Sequence, residues 1–175
     1  MLCPNCGCEN IPGADECANC KNDLTYLDQP SAAAGSAVER ALMEEPVGVL
    51  DPASPICVSS NTPLREVIQT LIDKKIGCVL VTDGPDLVGI FTERDVLMNI
   101  AGREKELAND QIREWMTSNP ETVEEDDSIA FVIHKMDVGG YRHLPVMEAG
   151  RPKGIISIRD VVRHLATYLS PTTTS

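Results

Sequence analysis

Two sets of residues in this 175-residue chain have the types and spacing to do chemistry. The first is a pair of thiol pairs, Cys3-x-x-Cys6 and Cys17-x-x-Cys20, separated by ten residues. A Cys-x-x-Cys turn directs two sulfurs at one point, so four thiolates at this spacing suit one tetrahedral Zn²⁺; iron is the rival, because four cysteines alone do not choose the metal. The surrounding stretch, residues 1–24, has almost no apolar side chains. Metal binding would have to contribute most of its folding free energy, which favours a closed structural site over a catalytic one. Cys8, close by, reads as a bystander thiol. Glu9, Asp15, Glu16 and Asp23 stand against Lys21 alone, and this excess of acid points the head toward protein contact rather than nucleic acid.

The second set is a near-duplicate: "GIFTERD" at 89–95 and "GIISIRD" at 154–160. Each reads as a strand running into a helix start, with Thr92 or Ser157 at the cap and Asp95 or Asp160 three residues on. A hydroxyl followed by an acid at that spacing is a capping box, which needs no ligand and is worth about 1 kcal/mol. The same corner can also hold a nucleotide. A helix N-terminus offers unpaired N–H donors to a phosphate, and a short carboxylate one turn in is placed to accept hydrogen bonds from a vicinal diol.

One register extends the duplication well beyond these corners. At a constant offset of 65 residues Pro55 pairs with Pro120, Val58 with Val123, Ile68 with Ile133, Val81 with Val146, and Arg94 with Arg159. That is an internal repeat. Each copy predicts β-α-β-β-α. "PICVS" and "PETVE" open the copies as strands. Helices start at Thr62-Pro63 and Asp127-Ser128, with Thr62 and Asp127 as N-caps and Pro63 in the first turn. Leu64, Val67, Ile68, Leu71 and Ile72 then form one apolar stripe, repeated by Ile129, Val132, Ile133 and Met136. "CVLVTD" and "HLPVME" are the next strands, "LVGIF" and "KGIIS" the last, and closing helices begin at Thr92 and Ser157. A copy of this size buries little apolar surface alone, so the two are expected to pack on each other about a pseudo-two-fold axis, an α+β globule with two clefts. The expected organisation is a Cys₄ head at 1–24, a linker and short helix at 25–46 (the helix over about 37–45, ended by Pro46), copies at 47–110 and 111–169, and a tail at 170–175.

Composition narrows the function. Net charge is -12 with no Lys/Arg-rich run, which argues against duplex nucleic acid and anionic membranes as partners. Nothing reaches the roughly 18 consecutive apolar residues of a membrane helix, and "MLCPNC" lacks a secretory signal's charge and apolar run, so a reducing cytoplasm is expected. His134, His143 and His164 fall on separate elements without a nucleophile partner, so no catalytic constellation is expected. Cys57 and Cys78 fall on strands and are expected to pack as small apolar residues, and Trp115 to anchor the segment between copies.

The paired corners, with "KKIGCVLVTD", "GGYRHLPVME" and "WMTSNPETV" around them, resemble the cystathionine-β-synthase (CBS) domain pair, or Bateman module, over roughly residues 47–169. That resemblance implies a regulatory module without enzyme activity, sensing AMP, ADP, ATP or S-adenosylmethionine and passing the state to a partner protein, commonly as a homodimer. Carried onto this sequence, it implies Asp95 and Asp160 as ribose ligands and Thr92 and Ser157 as phosphate ligands. The clefts are not equal. Arg142-His143 stands where the first copy has Gly77-Cys78, with only Lys74, Lys75 and Arg94 as basic groups there, so the Ser157–Asp160 cleft is expected to prefer the charged ligand. The head resembles a short N-terminal zinc ribbon, but has Glu16 in place of an aromatic and Lys21 in place of a glycine. The alternative is a Cys₄ iron-binding metal or redox sensor whose repeat pair mainly dimerises.

Overall fold

The computed structural model describes residues 3, 6–11, 14–21, 24 and 36–169. Residues 25–35 of the expected linker and the tail at 170–175 lie outside them. The chain forms two compact units, Met1–Arg40 and Ala41–Ser175, with the boundary inside helix α1 (Ala37–Glu44).

The larger unit carries the duplication. The first copy is β1 (Cys57–Ser59), α2 (Leu64–Lys74), β2 (Cys78–Asp83), β3 (Asp86–Thr92) and α3 (Glu93–Asp95), which continues as a π-wound turn over Val96–Ile100. Helix α4 (Glu104–Leu107) and strand β4 (Thr117–Ser118) lead into the second copy: β5 (Val123–Glu124), α5 (Ile129–Gly139), β6 (His143–Glu148), β7 (Arg151–Ser157) and α6 (Ile158–Leu169). In both copies the first strand is parallel to the second and the second antiparallel to the third. Register breaks fall at equivalent places, after Val81 and after Val146. The closing helices differ: α6 is a regular helix of 12 residues, whereas α3 keeps one α-turn before its π-wound turn.

The helix starts sit one residue later than the sequence suggests, by the same shift in both copies. Pro63, not Thr62, is the cap of α2, with no side-chain hydrogen bond. Ser128, not Asp127, caps α5 by accepting from the Phe131 N–H, while Asp127 accepts from the Glu124 N–H instead. The apolar stripe of α2 buries Leu64, Val67 and Leu71 but leaves Ile72 exposed.

β2 is buried from Cys78 to Val81, as a central strand covered on both faces must be, which explains its unbroken apolar run. Val79 and Val81 join Leu64, Val67, Leu71 and Phe91 in the first copy's core. Cys78, Leu80 and Ile90 form a separate cluster with Ile155 of the second copy. Cys78 therefore packs as expected; Cys57, at the start of β1, is exposed, contrary to expectation. Trp115 packs against the first core and donates its indole N–H to Asp110 at 3.2 Å.

The lead-in segments cross over. Val47 and Leu50 belong to the second copy's core, and the Val47 and Gly48 N–H groups donate to Asp127 and Glu125 carbonyls at 2.8 and 3.0 Å. Ala53 exchanges two backbone hydrogen bonds with Ile155, of 3.0 and 2.9 Å. The equivalent segment before the second copy, β4, pairs with Gly89 and Ile90 of β3. Each lead-in thus extends the other copy's sheet, and it is this approach that demands glycine at the head of both motifs. A Cβ on Gly89 would meet Met116 Sδ at 2.3 Å, and one on Gly154 would meet Pro52 Cβ at 2.5 Å.

Candidate ligand clefts and metal centre

The first motif forms a full capping box, in which the Asp95 N–H also donates to the Thr92 hydroxyl at 3.4 Å, and the second repeats its carboxylate half with matched geometry. The Asp95 carboxylate accepts from the Thr92 N–H at 2.8 Å and the Thr92 hydroxyl at 2.7 Å. Asp160 accepts from the Ser157 N–H and hydroxyl at the same 2.8 and 2.7 Å. One oxygen, Oδ2, takes both bonds in each motif. The other differs: Asp160 Oδ1 is held by the Arg163 guanidinium at 2.8 Å, whereas Met98 stands in the equivalent place on the first copy. Burial alone would raise the Asp160 carboxyl; the two Ser157 donors and Arg163 outweigh it and hold the group below its ordinary value.

The two corners meet where the copies abut. Thr92 lies opposite Cys78 across β2–β3, and Ser157 opposite His143 across β6–β7. His143 packs on Gly77: a Cβ there would come within 2.8 Å of Nε2, with Glu93 Oε2 at 3.6 Å. Burial pushes the His143 imidazole below its ordinary value, opposed by Glu93 and Asp160 and assisted by Arg159 and Arg142. Cys78 is pushed up to about 12 by burial and by Glu93. So His143, Asp160 and Arg142 are brought together. Arg94 is exposed and, like Arg142, makes no side-chain hydrogen bond or ion pair with the described residues.

Glu93 and Arg163 are the groups that sequence reasoning passed over. Arg163 was legible as an acid–base pair three apart on one helix. Glu93 was not, because its proximity to His143 depends on how the copies dock. Two open cavities among the described residues lie off the twin motifs. One of about 580 Å³ is bounded by Leu42, Ile133, Met136, Tyr141, Arg142 and Ile158, among others, and one of about 320 Å³ by residues including Asp86, Asn119 and Met147; only Arg142 of the expected site residues lines either.

In the smaller unit the four cysteines converge. Their sulfurs all lie within 4.8 Å of one another, with Cys3–Cys20 and Cys6–Cys17 both 3.6 Å apart. A tetrahedron with Zn–S of about 2.3 Å has edges of about 3.8 Å, so the thiols fit the ion that their chemistry implies. The two turns are copies: Gly7 N–H donates to the Cys3 carbonyl at 2.8 Å and Lys21 N–H to the Cys17 carbonyl at 2.9 Å. Both residues are left-handed, φ +69° and +59°, so Lys21 adopts the conformation that glycine adopts in the first turn. Cys17 is held down to about 6, chiefly by the Cys20 backbone N–H, against burial and with help from Asn19, Cys6 and Asn10. Burial and the neighbouring thiols push Cys8 up, in keeping with a bystander.

The CBS domain profile matches residues 41–102 and 112–167, the two copies described above. The chain belongs to the CBS-domain family. Among curated relatives it is 31% identical over 110 residues to an uncharacterized 17.7 kDa protein of Acidianus ambivalens, covering 62% of this chain and 65% of that one. Other curated relatives are longer, and the match covers only 18–20% of several CBS domain-containing proteins of Arabidopsis thaliana. Among solved structures, the CBS-domain protein ATU1752 of Agrobacterium tumefaciens superposes with a TM-score of 0.64 at 34% identity, over 68% of this chain and 98% of that one. The CBS pair of protein MJ0100, solved with 5′-methylthioadenosine and S-adenosyl-L-methionine, gives 0.60 at 28% identity, over 68% and 98%. CBS pairs of this kind are typically regulatory rather than catalytic modules. Among the described residues no helix is long and apolar enough to cross a membrane.

Proposed function

We propose that this protein is a non-catalytic, cytoplasmic regulator whose CBS pair senses an adenosine ligand (AMP, ADP, ATP or S-adenosylmethionine) and passes its state to a partner protein. The observation that carries this reading is the pair of matched Thr/Ser–Asp units at equivalent strand ends, meeting beside His143. The adenosine ligands of the MJ0100 pair support it. Asp95 and Asp160 would exchange their capping bonds for ribose hydroxyls, freeing the N–H and hydroxyl of Thr92 and Ser157 for phosphate. Arg142, exposed and without a side-chain partner among the described residues, and His143 would favour the anionic ligand at the Ser157–Asp160 cleft. Exposed Leu97, Met98, Val138 and Val162 on the helices support homodimerisation through those helices.

The Cys₄ centre would hold structural Zn²⁺ through Cys3, Cys6, Cys17 and Cys20, closing a head for protein contact. The ion supplies cross-linking, and the backbone donors to sulfur keep the thiolates poised for it. Elemental analysis with an absorption spectrum separates zinc from the iron-sensor alternative, since ferric thiolates are coloured.

Calorimetry with AMP, ADP, ATP, S-adenosylmethionine and NAD tests the ligand reading. At least one adenosine ligand should bind, and Asp95→Asn and Asp160→Asn should each remove one site. Silence across the panel would leave the capping boxes as caps alone.

A further inference from the structure

The small unit has no apolar core to speak of. Apart from cysteines, Leu24 is the sole large apolar side chain buried there among the described residues. What it has instead is a buried amide. Asn10 is 8% exposed, and of the described residues only Ser60 is also a buried polar side chain. Asn10 Nδ2 donates to the Cys8 carbonyl at 2.9 Å and to Cys17 Sγ at 3.6 Å, while Oδ1 accepts from the Ala18 N–H at 2.9 Å. The Cys8 carbonyl also accepts the Cys3 N–H at 2.9 Å. One side chain therefore ties the end of the first cysteine turn to the start of the second.

The orientation of the amide follows from its partners. Turned over, the carbonyl oxygen would face the Cys8 carbonyl and the Cys17 sulfur, and the NH₂ would face an N–H. All three contacts would be repulsive, so the donor side is fixed on the sulfur.

We propose that Asn10 is a positioning residue of the metal centre: it locks the two cysteine turns together and donates a hydrogen bond to the Cys17 sulfur. This rests on the Cys₄ metal reading above. Groups that orient metal ligands in this way typically govern 10–100-fold in metal affinity. An amide N–H on a thiolate also lowers the energy of the sulfur lone pair that gives rise to the thiolate-to-metal charge-transfer band.

The test uses the full chain as wild type, Asn10→Ala and Asn10→Asp. Zn²⁺ affinity is measured by competition with a chromogenic chelator, and the Co²⁺-loaded proteins are compared by absorption. Asn10→Ala is expected to weaken Zn²⁺ by about 10–100-fold. Asn10→Asp is nearly isosteric and keeps the acceptor for Ala18, but it loses both donations and places an anion by the thiolate. It should lose at least as much affinity. In both variants the Co²⁺ charge-transfer band should move to lower energy. Unchanged affinity, or weakened affinity with an unmoved band, would overturn the assignment. A wild-type chain that takes up neither Zn²⁺ nor Co²⁺ would instead overturn the metal reading beneath it.

Discussion

The twin glycines make the sharpest prediction, because identical substitutions should have unequal effects. A Cβ on Gly154 would lie 2.5 Å from Pro52 Cβ and 3.5 Å from the Pro52 carbonyl carbon and oxygen. Pro52 cannot yield cheaply. Its ring is rigid, Asp51 before it is held in a left-handed conformation at φ +51° with its N–H on the Gly48 carbonyl, and Ala53 after it carries both hydrogen bonds to Ile155. A Cβ on Gly89 would lie closer still, 2.3 Å from Met116 Sδ and 2.9 Å from Cγ, but the obstacle is a flexible thioether chain. Overpacking costs about 1–3 kcal/mol, while Gly→Ala returns about 0.4–1 kcal/mol by restricting the unfolded chain. Gly154→Ala should therefore lose about 2 kcal/mol and Gly89→Ala about 0–1 kcal/mol. In urea, with m of about 2 kcal/mol/M, these are midpoint shifts of about 1 M and under about 0.5 M. Trp115 is the only tryptophan and lies by the first copy's core. Its fluorescence should nonetheless report the Gly154→Ala shift in step with circular dichroism, because Pro52 and Ala53 pin the second copy to the first copy's lead-in. Equal midpoints for the two variants, or a Trp115 transition that ignores Gly154→Ala, would refute the interlocked reading.

Three further outcomes are expected. His143 has its imidazole lowered from the ordinary 6.5, so the unfolded chain binds its proton first and the His143 contribution to stability should fall away as pH drops below about 6.5; urea midpoints at pH 7.5 and 5.5 should differ less in His143→Gln than in wild type, and an equal difference would sink the point. Arg163→Met, which installs the first copy's residue, frees Asp160 Oδ1; because the ion pair is largely exposed and worth at most about 1 kcal/mol, ligand affinity at that cleft should rise by up to about five-fold in calorimetry, and a weakened cleft would contradict this. Lys21→Gly relieves a left-handed non-glycine residue worth about 1 kcal/mol, so Zn²⁺ should bind several-fold tighter by chelator competition; weaker binding would show that the lysine side chain matters more than its backbone.

The repeat, the element order and the four thiols were legible because each is written in local pattern. "CVLVTD" and "HLPVME" are strands over those residues, and the hydroxyl–acid contacts at the helix starts follow from Thr92-x-x-Asp95 and Ser157-x-x-Asp160. What stayed hidden depends on contacts between distant segments. The glycines of the motifs read as part of a ligand corner, yet the structure makes them answer to Met116 and Pro52, which no periodicity places over them. Glu93 looked like a filler position within the motif, and only docking of the copies sets it beside His143. The late helix starts have a local cause that propensity missed: Pro63 has an extended ψ of 139°, so it stands before the helix rather than in its first turn.

The same crossing-over bears on how a ligand's presence could be felt elsewhere in the chain. Asp160 and His164 are four apart on α6, hence on one face of one rigid helix. His164 Nε2 lies 2.5 Å from Glu45 Oε2, Tyr168 donates its hydroxyl to the other Glu45 oxygen, and the two donors bring the Glu45 carboxyl below its ordinary value. The Glu45 carbonyl in turn accepts the Ile129 N–H at 3.1 Å, at the start of α5. The residue immediately after α1 is therefore held by both helices of the second copy, while its carboxylate is bound by the same helix that opens at Ser157. A shift of α6 along its axis on releasing the Ser157–Asp160 cap would have to break or drag this clasp, since a packed helix moves as a body. The end of α1 is thus tied to the helix of the second motif and, among the described residues, has no tie of that kind to the first, whose closing helix ends after the π-wound turn at Ile100. Of the two twin motifs, it is the one at Ser157 and Asp160 whose helix also holds the carboxylate of Glu45, the residue that follows α1.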